Sequence, residues 1–168
     1  MRYLAVLCVL SLVAAWGGNG GSGEDTVRIV GSQGAKLEFT NPDTLFDAST
    51  AGYTQIVSTR GRQHIFVSGQ TALQADGTLP DDAVGNKARQ FELVFENVQR
   101  AIDAIPKATL KDVVSIKTYV KDYDPDADLP LVATFGNKFP NPPANDLLGL
   151  QSLALKDLLV EVSLQLVL

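Results

Sequence analysis

No arginine follows Arg100 in this chain of 168 residues, and cysteine and histidine occur once each, as Cys8 and His64. A single cysteine excludes an intramolecular disulfide and a cysteine-type zinc site. A single histidine excludes a histidine-rich metal site, and His64 has no acidic neighbour in sequence. Nothing at nucleophile–base spacing therefore marks a catalytic triad, and His64 reads as structural. Runs of Lys and Arg are also absent. With a net charge of −5 and a pI near 4.7, this argues against non-specific nucleic-acid binding, which needs a basic face. Gly31 and Gly34 stand too close together for a phosphate loop, and no helix follows them.

Apolar runs long enough to span a bilayer comfortably are missing as well. The run Tyr3–Ala15 is short, follows one positive charge at Arg2, and places Val13 and Ala15 where small residues precede a cleavage site. This matches a secretory signal peptide. Cys8 lies inside the run, not after it as a lipidated cysteine does. Cleavage would leave a mature chain without cysteine, compatible with an oxidising compartment. Gly17–Gly23 follows as a flexible, glycine-rich tether.

What remains reads as one domain. Hydrophobic residues make up 45% and charged residues 20%, the balance of a globular protein and not of a disordered one. Short strands are predicted over Val27–Val30 and Lys36–Phe39, separated by a turn at Gly31–Gly34. Tyr53–Thr59 alternates apolar and polar residues. Together with Gln63–Ser68 it predicts a hairpin around Arg60-Gly61. Asp76-Gly77 marks a turn. Asp81 or Asp82 is the expected cap of a long helix running to about Ala104. Phe91, Val94, Phe95, Val98, Ile102 and Ile105 form its buried stripe, and Pro106 ends it. A strand over Asp112–Val120 puts Ile116 and Thr118 on one side and Lys117 and Tyr119 on the other. An acidic turn at Asp122–Asp128, a short helix over Leu131–Phe139, and strands over Leu147–Leu153 and Leu158–Leu168 complete the reading. Strands and helices do not alternate strictly, so the class is α+β: one mixed sheet with helices on one face.

Several segments share an order and spacing. They are Gly52-Tyr53-x-Gln55, Ile65–Gln70 with its Ser68-Gly69-Gln70, Asp76-Gly77, Ala88-Arg89-Gln90 with Glu96-Asn97-Val98, Asp112-Val113-Val114 with Thr118-Tyr119-Val120, and Leu159-Val160-Glu161-Val162. In these the chain resembles the Rid family of reactive-intermediate deaminases, also called YjgF-type or L-PSP proteins, over roughly Asn41–Val167. The resemblance implies a chorismate-mutase-like fold with two helices on one face of the sheet. It also implies a homotrimer built as a central barrel, with ligand pockets between subunits. The expected organisation is a signal peptide over residues 1–17, a Gly-rich disordered linker over 18–26 and a Rid-family domain over 27–168.

The resemblance further implies hydrolysis of 2-imino acids to a 2-oxo acid and ammonia, without metal or organic cofactor. The implied catalytic residues are Tyr53, whose hydroxyl bonds substrate or water, and Glu161, which orients water. Ser68 lines the pocket. The family's carboxylate-binding arginine falls on Asn145, within Pro143-Ala144-Asn145-Asp146. A carboxamide offers no bidentate cationic fork, and Asp146 adds a negative charge that repels an acidic substrate. Two functions are therefore expected to compete. One is a hydrolase acting on an imine, enamine or related small molecule. The other is a non-catalytic small-molecule-binding or interaction trimer that lost its activity with the arginine. Ribonuclease activity, ascribed to some relatives, fits poorly with the acidic charge, so no nucleic-acid partner is expected.

Overall fold

Alternating burial sets the strands. In the computed structural model, which describes residues 24–45, 48 and 51–168, Leu37 and Phe39 are buried on β2 (Lys36–Pro42), as the period-two pattern requires. The expected signal peptide and the Gly17–Gly23 tether lie outside the described residues. β1 runs over Glu24–Val30, starting earlier than the predicted Val27, and pairs antiparallel with β2. β2 also pairs antiparallel with β3 (Ile56–Arg60). A second sheet has the order β4 (His64–Gln70), β7 (Val160–Val167), β5 (Val113–Lys121), β6 (Ala144–Leu150). Only β5 and β6 run parallel in it.

The expected hairpin does not form. β3 and β4 flank the Arg60-Gly61 turn but pair with different sheets. The segment ending β7 takes the place beside β4: the Leu168 carbonyl accepts the N–H groups of Arg62 (2.9 Å) and Gln63 (3.2 Å), and the Leu168 N–H donates to the Gln63 carbonyl (2.9 Å). Gly61 is required at this corner, because a Cβ would run into Val167 and lie 2.8 Å from the Leu168 carbonyl oxygen. The single mixed sheet of the sequence reading is thus two sheets within the α+β class.

α1 (Lys87–Asp103) and α2 (Pro125–Gly136) cover one face of the second sheet. Val94, Val98 and Ile102 on α1 are buried against Ile116, Val120, Val160, Val162 and Leu164. Phe91, Phe95, Phe135 and Phe139 join the helices through tilted and edge-to-face ring pairs with centroids 5.6–5.9 Å apart. Asp81 and Asp82 do not cap α1. They belong to a separate 3₁₀ turn, Asp81–Ala83, and the Asn86 side chain takes the Arg89 N–H instead. Gln90, fully buried, donates to the carbonyls of Ala83 and Asp157 and accepts the Leu159 N–H. It thereby fixes the chain as it enters β7, just before Glu161.

A buried carboxylate binds the N-terminal hairpin to this body. Asp112 is wholly buried and accepts four hydrogen bonds of 2.7–2.9 Å, from the N–H and hydroxyl of both Ser32 and Thr109. Asp112→Ala leaves these donors to whatever water can enter, and is expected to cost about 2–3 kcal/mol. Urea denaturation read against wild type measures this; a loss below about 0.5 kcal/mol would mean the donors find other partners.

Candidate functional site

Two of the expected site residues meet at an irregularity in the second sheet. β4 and β7 slip register between Val67 and Gln70, which inserts an extra residue at Ser68-Gly69. The Glu161 side chain lies in the space this opens. A Cβ on Gly69 would sit 2.6 Å from the Glu161 carboxyl carbon and would overlap its Oε1. Glu161 is half-buried, and among the described residues its carboxylate makes no hydrogen bond or ion pair. Its oxygens are thus left to accept hydrogen bonds from a water or ligand. Ser68 is exposed, and its hydroxyl makes no hydrogen bond among the described residues. Glu161 stands directly across from Tyr119 on β5, so both project from the face that the helices leave uncovered.

Tyr53 and Asn145 lie elsewhere. Gly52, at φ +76°, crosses the backbone of α2 at Ala133 and Gly136. Tyr53 follows it, half-buried, and the Thr54 N–H then donates to the Pro143 carbonyl at 3.1 Å. This brings the Tyr53 segment to the start of β6, two residues before Asn145. The Asn145 Oδ1 accepts from the buried Thr118 hydroxyl at 3.0 Å, so one half of the carboxamide is engaged. Ser68 lies on one edge strand of the sheet and Asn145 on the other. A single chain therefore keeps these two groups of expected site residues apart.

Residues 45–167 match the model of the family described as Endoribonuclease L-PSP. The chain belongs to this Rid/YjgF/L-PSP family. No curated protein matches it, but solved structures do. A protein of unknown function of the conserved Rid family, YyfB from Yersinia pestis, is 28% identical with a TM-score of 0.73; the match covers 79% of this chain and 98% of that one. RidA from the Antarctic bacterium Psychrobacter is 23% identical with a TM-score of 0.52, covering 69% of this chain and 88% of that one. Yeast Mmf1, 24% identical, has the same TM-score, with 70% and 87% covered. The last two likenesses show the fold alone.

In this Rid-family chain the uncovered sheet face also carries Lys117, outside the motif segments, and Tyr119, within one of them. Lys117 and Tyr119 line a cleft of about 460 Å³ with Asn145, Asp146, Leu147 and Leu148. They also line a neighbouring cleft of about 230 Å³ with Phe66, Ser163 and Gln165. Lys117 faces Asp146 across β5 and β6, so the negative charge of Asp146 stands beside a cation. The alternation along β5 already put Lys117 and Tyr119 on one side, which was the signal available. Phenol Tyr123, packed against Gly149 of β6, is held above its ordinary range by burial and then by the carboxylates of Asp128 and Asp124. Among the described residues no group of three or more His, Cys, Asp and Glu side chains could hold a metal ion, and no helix is long and apolar enough to cross a membrane.

Proposed function

We propose that the protein is a Rid-family hydrolase that deaminates an imine, enamine or related small metabolite in a pocket between the subunits of a homotrimer. The observation carrying this reading is the unpartnered Glu161 carboxylate seated over Gly69. Hydrolysis adds water to the imine carbon, and the carbinolamine then collapses to a carbonyl compound and ammonia. Glu161 takes the proton from the attacking water. The Tyr53 hydroxyl hydrogen-bonds the substrate or water, and Ser68 lines the pocket beside Glu161. No cofactor enters the reaction.

The trimer is supported by where the two groups of expected site residues lie. A closed three-fold ring sets the β6 edge of one copy against the β4 edge of the next, joining Tyr53 and Asn145 to Ser68 and Glu161. Phe66, 71% exposed on β4, then gains cover. Asn145 favours a neutral or amide-bearing substrate, and Lys117 is the cation nearest to hand for an anionic one. The residues before the described region support export through a cleaved signal peptide, and sequencing the mature N-terminus tests this; a chain beginning at Met1 would reject it.

A coupled assay of carbonyl release from freshly generated 2-imino acids and their amides, with sedimentation of the same sample, tests the reaction. Release above buffer is expected. No release from an intact trimer would favour the second reading, a binding trimer without catalysis, which the engaged carboxamide of Asn145 supports. Asn145→Arg is expected to raise turnover of 2-imino acids by about tenfold or more, the scale of a regained charged contact. Unchanged turnover would remove the missing guanidinium as the cause.

A further inference from the structure

We propose that the cleft at the β3–β4 corner binds a small multivalent oxyanion. This cleft, of about 930 Å³, is lined by Arg60, Arg62 and Lys107 together with the amides of Gln33 and Gln63, and no Asp or Glu lines it. The three cations come from separate elements and gather at one corner of a chain whose net charge is −5. Arg28, Lys87, Arg89 and Arg100 each pair with a carboxylate, of Glu38, Asp128, Asp82 and Glu96 respectively. Arg60, Arg62 and Lys107 make no ion pair or side-chain hydrogen bond among the described residues. Leu168 borders the cleft too, its carbonyl oxygen taking the N–H groups of Arg62 and Gln63.

Two further observations show that the charges are gathered against a cost. Lys36 stands directly opposite Arg60 in the β2–β3 register and is likewise unpaired; like charges so placed repel across a sheet. Lys107 holds φ at +67°, a conformation unfavourable for a residue with a side chain and often found where function over-determines the backbone. The corner itself is rigid. Arg62 N–H and Gln63 N–H are bound to the Leu168 carbonyl, and Gly61 is packed against Val167, Leu168 and Ala35. Two guanidinium groups on either side of one glycine, on a fixed turn, suit an oxyanion with several acceptor oxygens. The net negative charge of the chain disfavours a long nucleic acid, which would have to cross acidic surface. This cleft shares no residue with Tyr53, Ser68, Asn145 or Glu161, so the inference stands apart from the proposed hydrolysis.

Amide NMR of the full chain, titrated with pyrophosphate and separately with citrate at matched ionic strength, is the test. Saturable shifts at Gly61, Arg62 and Lys107 are expected, with pyrophosphate ahead for a phosphate site and citrate ahead for a polycarboxylate site. Arg60→Gln with Arg62→Gln is expected to weaken binding by about tenfold or more, while Lys138→Gln leaves it unchanged. Without added anion, Arg60→Gln alone is expected to hold or raise Tm, since it relieves repulsion with Lys36. A purely structural arginine would lower Tm. Absence of saturable shifts with either anion, equal binding by the double variant, or retention of single-stranded RNA without affinity for either anion would overturn the proposal.

Discussion

Gly136→Ala is expected to destabilise the protein by about 4 kcal/mol, the upper range for a single substitution. The reason is backbone meeting backbone. A Cβ at 136 would overlap the Gly52 carbonyl oxygen and stand 2.7 Å from its carbon. A Cβ at 52 would in turn run into the Ala133 carbonyl of the same helix, 2.9 Å from its Cα, and Gly52 already sits at φ +76°. Neither neighbour is the loose end of a side chain, so relief requires α2 to move away from the segment carrying Tyr53. That movement pulls Phe135, buried among Phe91, Phe95 and Phe139, out of its packing. For a chain of this size the loss corresponds to a fall in Tm of roughly 8–16 °C. Thermal and urea denaturation measure it, and a loss under about 1 kcal/mol would mean that the crossing is looser than the geometry describes. Since the crossing sets the Tyr53 segment beside Pro143, a folded Gly136→Ala protein should, on the proposed reaction, also be impaired in turnover.

That crossing shows what could and could not be read in advance. The stripe from Phe91 to Ile105 made α1 legible, because a 3.6-residue period survives any tertiary setting. Its start was misread, since Asp81 and Asp82 have capping chemistry, yet Gly85, at φ +70°, resets the chain and gives the cap to Asn86. The expected short helix, Leu131–Phe139, follows directly on Pro130. α2 begins instead at Pro125, capped by Asp124, and carries Pro130 inside. A proline so near the N-terminus deletes one backbone hydrogen bond, and the acidic residues that looked like a turn favour the positive end of the helix. The hairpin at Gly61 failed because turn chemistry cannot show that Leu168 will compete for the same backbone groups. For the site, Ser68-Gly69 and Glu161 were legible as motif residues, but their meeting depends on a register slip between strands distant in sequence. The cationic cleft was invisible for the same reason: Arg60, Arg62 and Lys107 form no run.

Gly69→Ala, on the proposed reaction, is expected to lower kcat/KM by about 100-fold or more while changing Tm little. The two effects separate because of what the new methyl group meets. It overlaps Glu161 Oε1 and lies 2.8 Å from Cγ, and a glutamate side chain can rotate away at small cost where a peptide group cannot. Stability is therefore nearly kept. The displaced carboxylate, however, leaves the place from which it would take the proton of the attacking water, and a positioned general base is worth about 10²–10⁴ in rate. Glu161→Gln removes the base without moving the side chain, so it should reach a similar rate with unchanged binding of a substrate analogue. The double variant should then be hardly slower than either single one, because both remove the same contribution. Steady-state kinetics on the three variants decide the matter. Additive losses would mean that Gly69 acts on the site by some route other than Glu161, and full activity in Gly69→Ala would mean that the carboxylate over Gly69 is not where the chemistry happens.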